Sequence, residues 1–291
     1  MAGAGAAHIL VVKTCVPALI GEELEGGSDA VGRETGAAIR VIDAAHFKRN
    51  GYLSGYALAY EALAFFLPKL AAENQVNLLG GADGAEFARL KDLIGARFRR
   101  AAFPAQEPDD WPALARGRLN LVFSALFLKM ARAMEERLGI AYIDLTRGTT
   151  PARVAALYRA ISGALEMPVE LDPGAAPARC AREPLRYTSS ISHPDILTMV
   201  AILDACGAAA DAIHLEEADD VSGREGLSCD PQVFYEAKSA NRGATSLIFE
   251  NGASIPGGAI EAAMKKIGYE RIEALCALVR SATEGGAACR L

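Results

Sequence analysis

The chain lacks the marks of several large functional classes. Its six cysteines, Cys15, Cys180, Cys206, Cys229, Cys276 and Cys289, form no CxxC pair and no tight cluster. That excludes a zinc knuckle and a self-contained ferredoxin-type iron–sulfur site. Positive charge is not in surplus: 30 Lys and Arg stand against 36 Asp and Glu, a net charge of −6. A nucleic-acid partner usually demands a basic face, so none is expected. No run of eighteen apolar residues occurs. The best candidate, residues 56–67, is short, carries Glu61 and ends at Pro68, so it reads as a buried core helix and no membrane association is expected. Residues 1–8 contain neither a basic stretch nor a long apolar core, which predicts no secretory signal. The cysteines are then expected to be reduced thiols and the location cytoplasmic. Internal repeats and low-complexity tracts are also missing.

What is present is an ordinary α/β profile, 51% hydrophobic and 23% charged over 291 residues, enough for one large or two medium domains. The most informative segment is 9–25. Ile9–Val12 has Val/Ile/Leu without alternation, the pattern of a strand covered on both faces. It runs into Thr14-Cys15, and Pro17 is suited to open a helix, since its missing N–H would be unpaired there anyway. Cys15 is thereby placed at the carboxyl end of a parallel strand, where open α/β sheets bind ligands, and beside a helix N-terminus, which favours a thiolate over a thiol. An iron–sulfur or other metal ligand fits this position; so does a small half-buried core thiol.

Strand and helix signals then alternate. Strands are predicted at 39–42, 75–79, 119–123, 140–143, 185–190, 212–215 and 246–249. Helices are predicted at 56–67, 86–94, 125–138, 151–165 with Thr150 as cap, from Pro194-Asp195 to Gly207, 231–240 and 269–279. The Pro/Gly-rich stretch 167–184 reads as a linker, dividing the chain into units 1–170 and 171–291. Residues 216–230 are polar and read as a surface loop. Repeated βα units mean parallel sheets.

Other candidate residues follow from placement. His46 follows the end of the strand at 39–42, where it suits a proton donor or ligand, or a structural histidine. Gly80, Gly81 and Gly84 form a strand-to-helix turn able to cradle an anion, although it is neither GxGxxG nor a P-loop. Glu22 and Glu23 lie in a first helical turn, where carboxylates also complement the dipole. His193 is suited to cap the helix after Pro194. Cys206 and Cys276 fall on apolar helix faces and read as core, whereas Cys180 and Cys229 lie in loops and remain ligand candidates.

Several segments resemble, in order, the component 1 family of nitrogenases, which includes the catalytic subunits, their cofactor-assembly scaffolds and the protochlorophyllide and chlorin reductase subunits. Lys13-Thr14-Cys15 through Ile20-Gly21-Glu22-Glu23 resembles the family's Thr-Thr-Cys…Ile-Gly-Asp-Asp signature. Ala45-His46-Phe47 with Gly51-Tyr52 and Gly55-Tyr56 resembles its next strand-loop-helix. Asn77-Leu78-Leu79-Gly80 with Leu90-Lys91-Asp92-Leu93 resembles its Asn-hydrophobic-Gly…Lys-x-x-Leu unit. Residues 119–122 and 131–140 resemble the strand and the helix ending in Met-Glu-Glu-x-x-Gly-Ile-Pro. Ile267-Gly268-Tyr269-Glu270 resembles the C-terminal Gly-Tyr-Glu-Gly helix.

The resemblance implies an α/β fold of two Rossmann-like parallel-sheet domains with helices on both faces. It also implies a cleft that holds a ligand, with Cys15, His46, Gly80 and Gly81 as cofactor-binding candidates and Cys15 as the metal ligand. Cys15 matches one ligand of an interface cluster whose other cysteines have no counterpart here. One thiolate cannot hold a four-iron cluster, so the iron–sulfur cluster would be shared with a partner chain. That partner would be a homologous component 1-type subunit or a second copy, and electrons would come from an ATP-dependent iron–sulfur reductase. Two departures argue against dinitrogen chemistry. Phe123-Ser124 stands where the cofactor-ligating cysteine is expected, and a hydroxyl is a hard, poor ligand for a sulfide cluster. Residues 254–266 contain no histidine, where the family has a cofactor ligand. The implied function is an oxidoreductase subunit acting on a small molecule or tetrapyrrole, or a non-catalytic scaffold for metal-cofactor assembly.

Overall fold

The structure, a computed structural model, describes residues 6–45, 52–104, 108–171, 185–189, 193–214, 227–228, 246–249 and 254–284. The chain opens with β1 (His8–Lys13), which enters the short α1 (Cys15–Leu19). α2 (Glu25–Thr35) leads back to β2 (Ala38–Asp43). The two strands pair in parallel, from His8 against Ala38 to Lys13 against Asp43. α1 begins two residues before Pro17, with Thr14 extended at its N-cap. α2 has no sequence signal: it holds three glycines and buries no residue, so neither propensity nor periodicity marks it. α3 (Tyr52–Phe66) packs on this pair. The Arg40 guanidinium lies 4.0 Å over the Phe65 ring, and the His8 ring is 5.2 Å from that of Phe66.

The second sheet is the best covered. It comprises β3 (Gln75–Leu79), β4 (Arg99–Phe103), β5 (Leu119–Val122) and β6 (Ala141–Asp144), all parallel in the order β4-β3-β5-β6. Every residue of β3 and β5 is buried, as expected where helices cover both faces. The helices are α4 (Ala85–Gly95), α5 (Leu128–Leu138) and α6 (Pro151–Leu165). α5 stops at Gly139, whose φ of 73° is a left-handed position that suits glycine. α6 starts with the Thr150 hydroxyl accepting from Arg153 N at 3.3 Å. β4 escapes sequence reading because it is an edge strand, with two arginines and one buried residue.

Buried amides tie the two central strands together. Asn77 Nδ2 donates to Asn120 Oδ1 at 2.8 Å and to Leu114 O at 2.9 Å, while Gln75 Nε2 donates to Asn77 Oδ1 at 3.0 Å. Each polar side chain inside the sheet is thereby satisfied.

The third sheet contains β7 (Leu185–Ser189), β8 (Ala208–His214), β9 (Leu227–Ser228), β10 (Ser246–Phe249) and β11 (Ser254–Pro256), ordered β11-β10-β7-β8-β9. β7, β8 and β9 run parallel, but β10 is antiparallel to both β7 and β11. The α/β class therefore holds, with an antiparallel edge on this sheet. The connection from β10 to β11 is four residues long, which permits a hairpin but not a parallel crossover. α7 (Ile196–Ala205), α8 (Gly257–Met264) and α9 (Gly268–Glu284) complete the described α-helices. One buried cluster joins Leu78, Leu121 and Phe123 to Tyr187, Ile202, Leu247 and Ile272. Cys206 and Cys276 lie in it as expected, 4% and 0% exposed with sulfurs 3.1 Å apart. Cys180, Cys229, His46 and the expected helix at 231–240 lie outside the described residues, and so does the expected loop at 216–230 except for Leu227–Ser228, which form β9 instead of loop because they pair with Ile213 and His214. No helix among the described residues is long and apolar enough to cross a membrane.

Candidate functional site

Cys15 is the first residue of α1 and is half-buried. Its surroundings are unusual for a surface. Val12 is 50% exposed, Val16 67%, Leu19 69% and Ile20 72%, so four large apolar side chains within five residues of the thiol face outward. Single exposed apolar residues are common; a group of this kind marks a contact surface. β2 ends beside β1, with Asp43 opposite Lys13; His46, three residues on, falls outside the described residues.

Gly80 and Gly81 sit elsewhere, at the carboxyl end of β3. Strand order gives this place its meaning. β3 connects to β4 on one side, and the chain then passes to β5 on the other, so the gap between β3 and β5 is a topological switch point, where open α/β sheets bind ligands. Gly80 has φ 93°, and a Cβ there would lie 3.2 Å from the Phe127 ring and 3.3 Å from Ser124 N. Only glycine fits. Gly81 faces open space. The structure thus brings Gly80, Gly81 and Ser124 together, and it places Cys15 at the end of a different sheet.

A cleft of about 810 Å³ opens beside this point, between the ends of β5 and β6 and the start of α7, lined by Ala125, Asp144, Thr146, Arg147, Asp195 and Thr198 among others. The Asp195 carboxylate does not cap α7; it accepts from Ala125 N at 2.7 Å and so ties α7 to the end of β5. His193 assists at the mouth of α7, where its Nδ1 accepts from Asp195 N at 3.0 Å. Burial pushes the His193 pKa down, against the pull of the Asp195 carboxylate.

Behind the cleft lies a polar network absent from the sequence reading. Glu86 accepts from Glu270 N at 2.7 Å, from Tyr269 N at 3.2 Å and from the Tyr158 hydroxyl. Glu270 in turn accepts from Glu86 N at 3.0 Å and pairs with Lys266 Nζ at 2.5 Å. Burial raises the Glu86 pKa in spite of its donors. Burial also pushes Glu270 upward, but the Lys266 ammonium and the backbone N–H groups outweigh it and hold the carboxyl low. Burial, then the Glu86 charge, drives the Tyr158 hydroxyl well up. The guanidinium of Arg271 is 2% exposed, and burial lowers its pKa. Each of these groups looks like an ordinary surface residue in sequence. The usable signals were Gly84 and Gly268, which precede the acidic residues by two, and the Gly268-Tyr269-Glu270 segment itself.

The described residues do not make a metal centre of this chain alone. No group of three or more His, Cys, Asp or Glu among them could hold a metal ion. Cys15 supplies one soft ligand, and an iron–sulfur cluster usually takes four, so the described residues do not fit a resident cluster.

The nitrogenase component 1 type oxidoreductase family matches residues 1–192. Among solved structures, 29 chains match. One, described as nitrogenase Cp1 at pH 5, is 18% identical, covering 80% of this chain and 53% of that chain, with a TM-score of 0.43. Another, nitrogenase Cp1 at pH 6.5, is 17% identical, covering 96% of this chain and 62% of that chain, with a TM-score of 0.39. The chain spans between 53% and 62% of the length of these two solved chains. No curated protein matches.

Proposed function

Because the chain belongs to the nitrogenase component 1 type oxidoreductase family, we propose that it is an oxidoreductase subunit taking part in iron–sulfur-dependent electron transfer to a bound small molecule or tetrapyrrole, and not a dinitrogen reductase. The observation that carries this reading is the outward-facing apolar group of Val12, Val16, Leu19 and Ile20 around half-buried Cys15. A half-buried thiol set in such a surface would lie at the seam with a second polypeptide. A homologous component 1-type subunit would cover the apolar side chains and supply the remaining thiolates, and an ATP-dependent iron–sulfur reductase would deliver electrons. Ser124 at the end of β5, with no histidine in 254–266, supports a substrate other than dinitrogen.

The test is anaerobic co-purification with a component 1-type companion chain. Iron–sulfur absorbance that disappears in Cys15→Ala, and a complex that dissociates in Leu19→Glu, are the expected results. A cluster retained without the Cys15 thiol overturns the reading. The same replacement of soft ligands by Ser124 favours a second reading, a scaffold that carries a metal cofactor to a maturing enzyme. Transfer of colour to an acceptor protein, without turnover, would select it.

A further inference from the structure

Two polar side chains at the start of α7 are largely buried, yet both line the cleft beside the switch point. Asp195 is 4% exposed and Thr198 8%. They lie three residues apart on one side of the first turn, where Thr198 N donates to Asp195 O at 3.0 Å. Asp195 Oδ1 accepts from Ala125 N at 2.7 Å. Among the described residues no donor bonds to Asp195 Oδ2, and the Thr198 hydroxyl has no hydrogen-bond partner. A carboxylate oxygen and a hydroxyl held this far from bulk water call for a partner. The other polar side chains of the lining bond to one another. Asp144 accepts from Thr146 N at 3.0 Å and pairs with Arg147 at 3.1 Å, and Arg153 Nη1 donates to Thr149 Oγ1 at 3.0 Å.

Charge at this wall favours a cation. The Asp195, Glu86 and Asp144 carboxylates all act on the buried Arg271 guanidinium, so they outnumber it and an anion is repelled. Much of the remaining lining is apolar, with Leu128, Leu157 and Leu197 among it. We propose that Asp195 and Thr198 bind the primary ammonium group of a small molecule whose apolar body lies against these leucines. One ammonium N–H donates to Asp195 Oδ2 in a charge-assisted bond, and a second donates to the Thr198 hydroxyl oxygen. Both groups then have the partner that the chain itself does not supply. Arg153, on the same lining, repels a second cation, so one ammonium is preferred over two. This subsite deepens the small-molecule part of the proposed function and rests on that reading for a ligand in this cleft.

Calorimetric titration of the full chain with butylammonium, butyrate and the diammonium putrescine, at matched ionic strength, tests this without any cluster. Butylammonium should bind saturably, with butyrate and putrescine each about tenfold weaker or more. Thr198→Val keeps the shape, removes the hydroxyl and should weaken butylammonium about tenfold. Asp195→Asn keeps an acceptor for Ala125 N, removes the charge and should weaken it by at least as much. Circular dichroism reports whether each variant folds, and Thr198→Val decides the matter if Asp195→Asn does not. Absence of saturable butylammonium binding, equal affinity for butyrate or putrescine, or binding unchanged in Thr198→Val overturns the proposal. Cluster absorbance at Cys15 is read in a separate experiment, so failure of either reading leaves the other standing.

Discussion

Glu86 and Glu270 close each other's helices. The Glu270 carboxylate accepts from Glu86 N at 3.0 Å in the first turn of α4, and the Glu86 carboxylate accepts from Glu270 N at 2.7 Å in the first turn of α9. Two helix N-termini therefore meet head to head, each neutralising the other's unpaired N–H groups and partial positive charge. Glu86→Ala or Glu270→Ala should each cost about 2 kcal/mol of unfolding free energy, in line with a lost cap plus orphaned donors. The double variant should cost less than the sum by about 1 kcal/mol. Urea unfolding of the four proteins measures this; strict additivity would show that the two caps are independent.

The same pair has a pH signature of two opposite signs. The Glu270 carboxyl is held below its ordinary 4.5, so the unfolded chain takes up the proton first as pH falls. Its stabilisation is present above about pH 4.5 and is lost below. The Glu86 carboxyl is raised above 4.5, so its contribution favours the fold at low pH and weakens as pH rises through the folded value. The stability difference between wild type and Glu270→Gln should shrink as pH is lowered from 7 to 4, whereas that for Glu86→Gln should grow. Parallel profiles for the two variants would refute the assignment.

Gly268 has φ 51°, and a Cβ there would overlap the Glu86 carboxylate and the Tyr158 hydroxyl. Gly268→Ala should therefore lose about 2 kcal/mol or more, from a left-handed backbone and a broken network together. Gly258, inside α8 with nothing within 4 Å of its would-be Cβ, is the control: Gly258→Ala should gain up to about 1 kcal/mol. Thermal melting of both variants checks the contrast.

Asn77 is wholly buried and serves Asn120, Leu114 and Gln75 at once. Asn77→Leu strands those partners inside the sheet and should cost about 3 kcal/mol. A melting temperature within 2 °C of wild type would mean that the amide chain contributes little.

Thiol accessibility separates the cysteines. Cys15 is half-buried at the start of α1, while Cys206 and Cys276 sit in the core. Iodoacetamide labelling of the native chain, followed by peptide mass analysis, should modify Cys15 well before either core thiol. Labelling of Cys276 at the rate of Cys15 would contradict its burial. If the proposed companion subunit covers the apolar surface around Cys15, its labelling should slow when that chain is added.

Much of the framework was legible in residue order. Gln75–Leu79 and Ser246–Phe249 match their expected bounds, because short, mostly apolar runs bounded by turn residues have few alternatives. Pro151–Leu165 matches too, with Thr150 as the cap and proline at the first position. Elements without such patterns were not legible. α2 buries nothing, β4 is a polar edge, and α8 begins with two glycines. Their positions are secured by neighbours, not by local preference. The site divides in the same way. Gly80 and Gly81 stood out as a turn, yet nothing in the order of residues pairs them with Ser124, or sets Arg271 against Phe123 from 148 positions away.

The sequence alone determined what depends on short-range chemistry: where strands stop, where helices are capped, that Cys15 follows a strand and lies beside a helix start, and that Cys206 and Cys276 belong inside. Tertiary structure decided what depends on strand order and long-range pairing. It put the switch point between β3 and β5, ran β10 antiparallel, joined Glu86 to Glu270 and buried the Arg271 guanidinium. The physical reason is reach. Backbone preference and hydrophobic period act over a few residues, while the burial of a charge is settled by whatever the fold brings beside it.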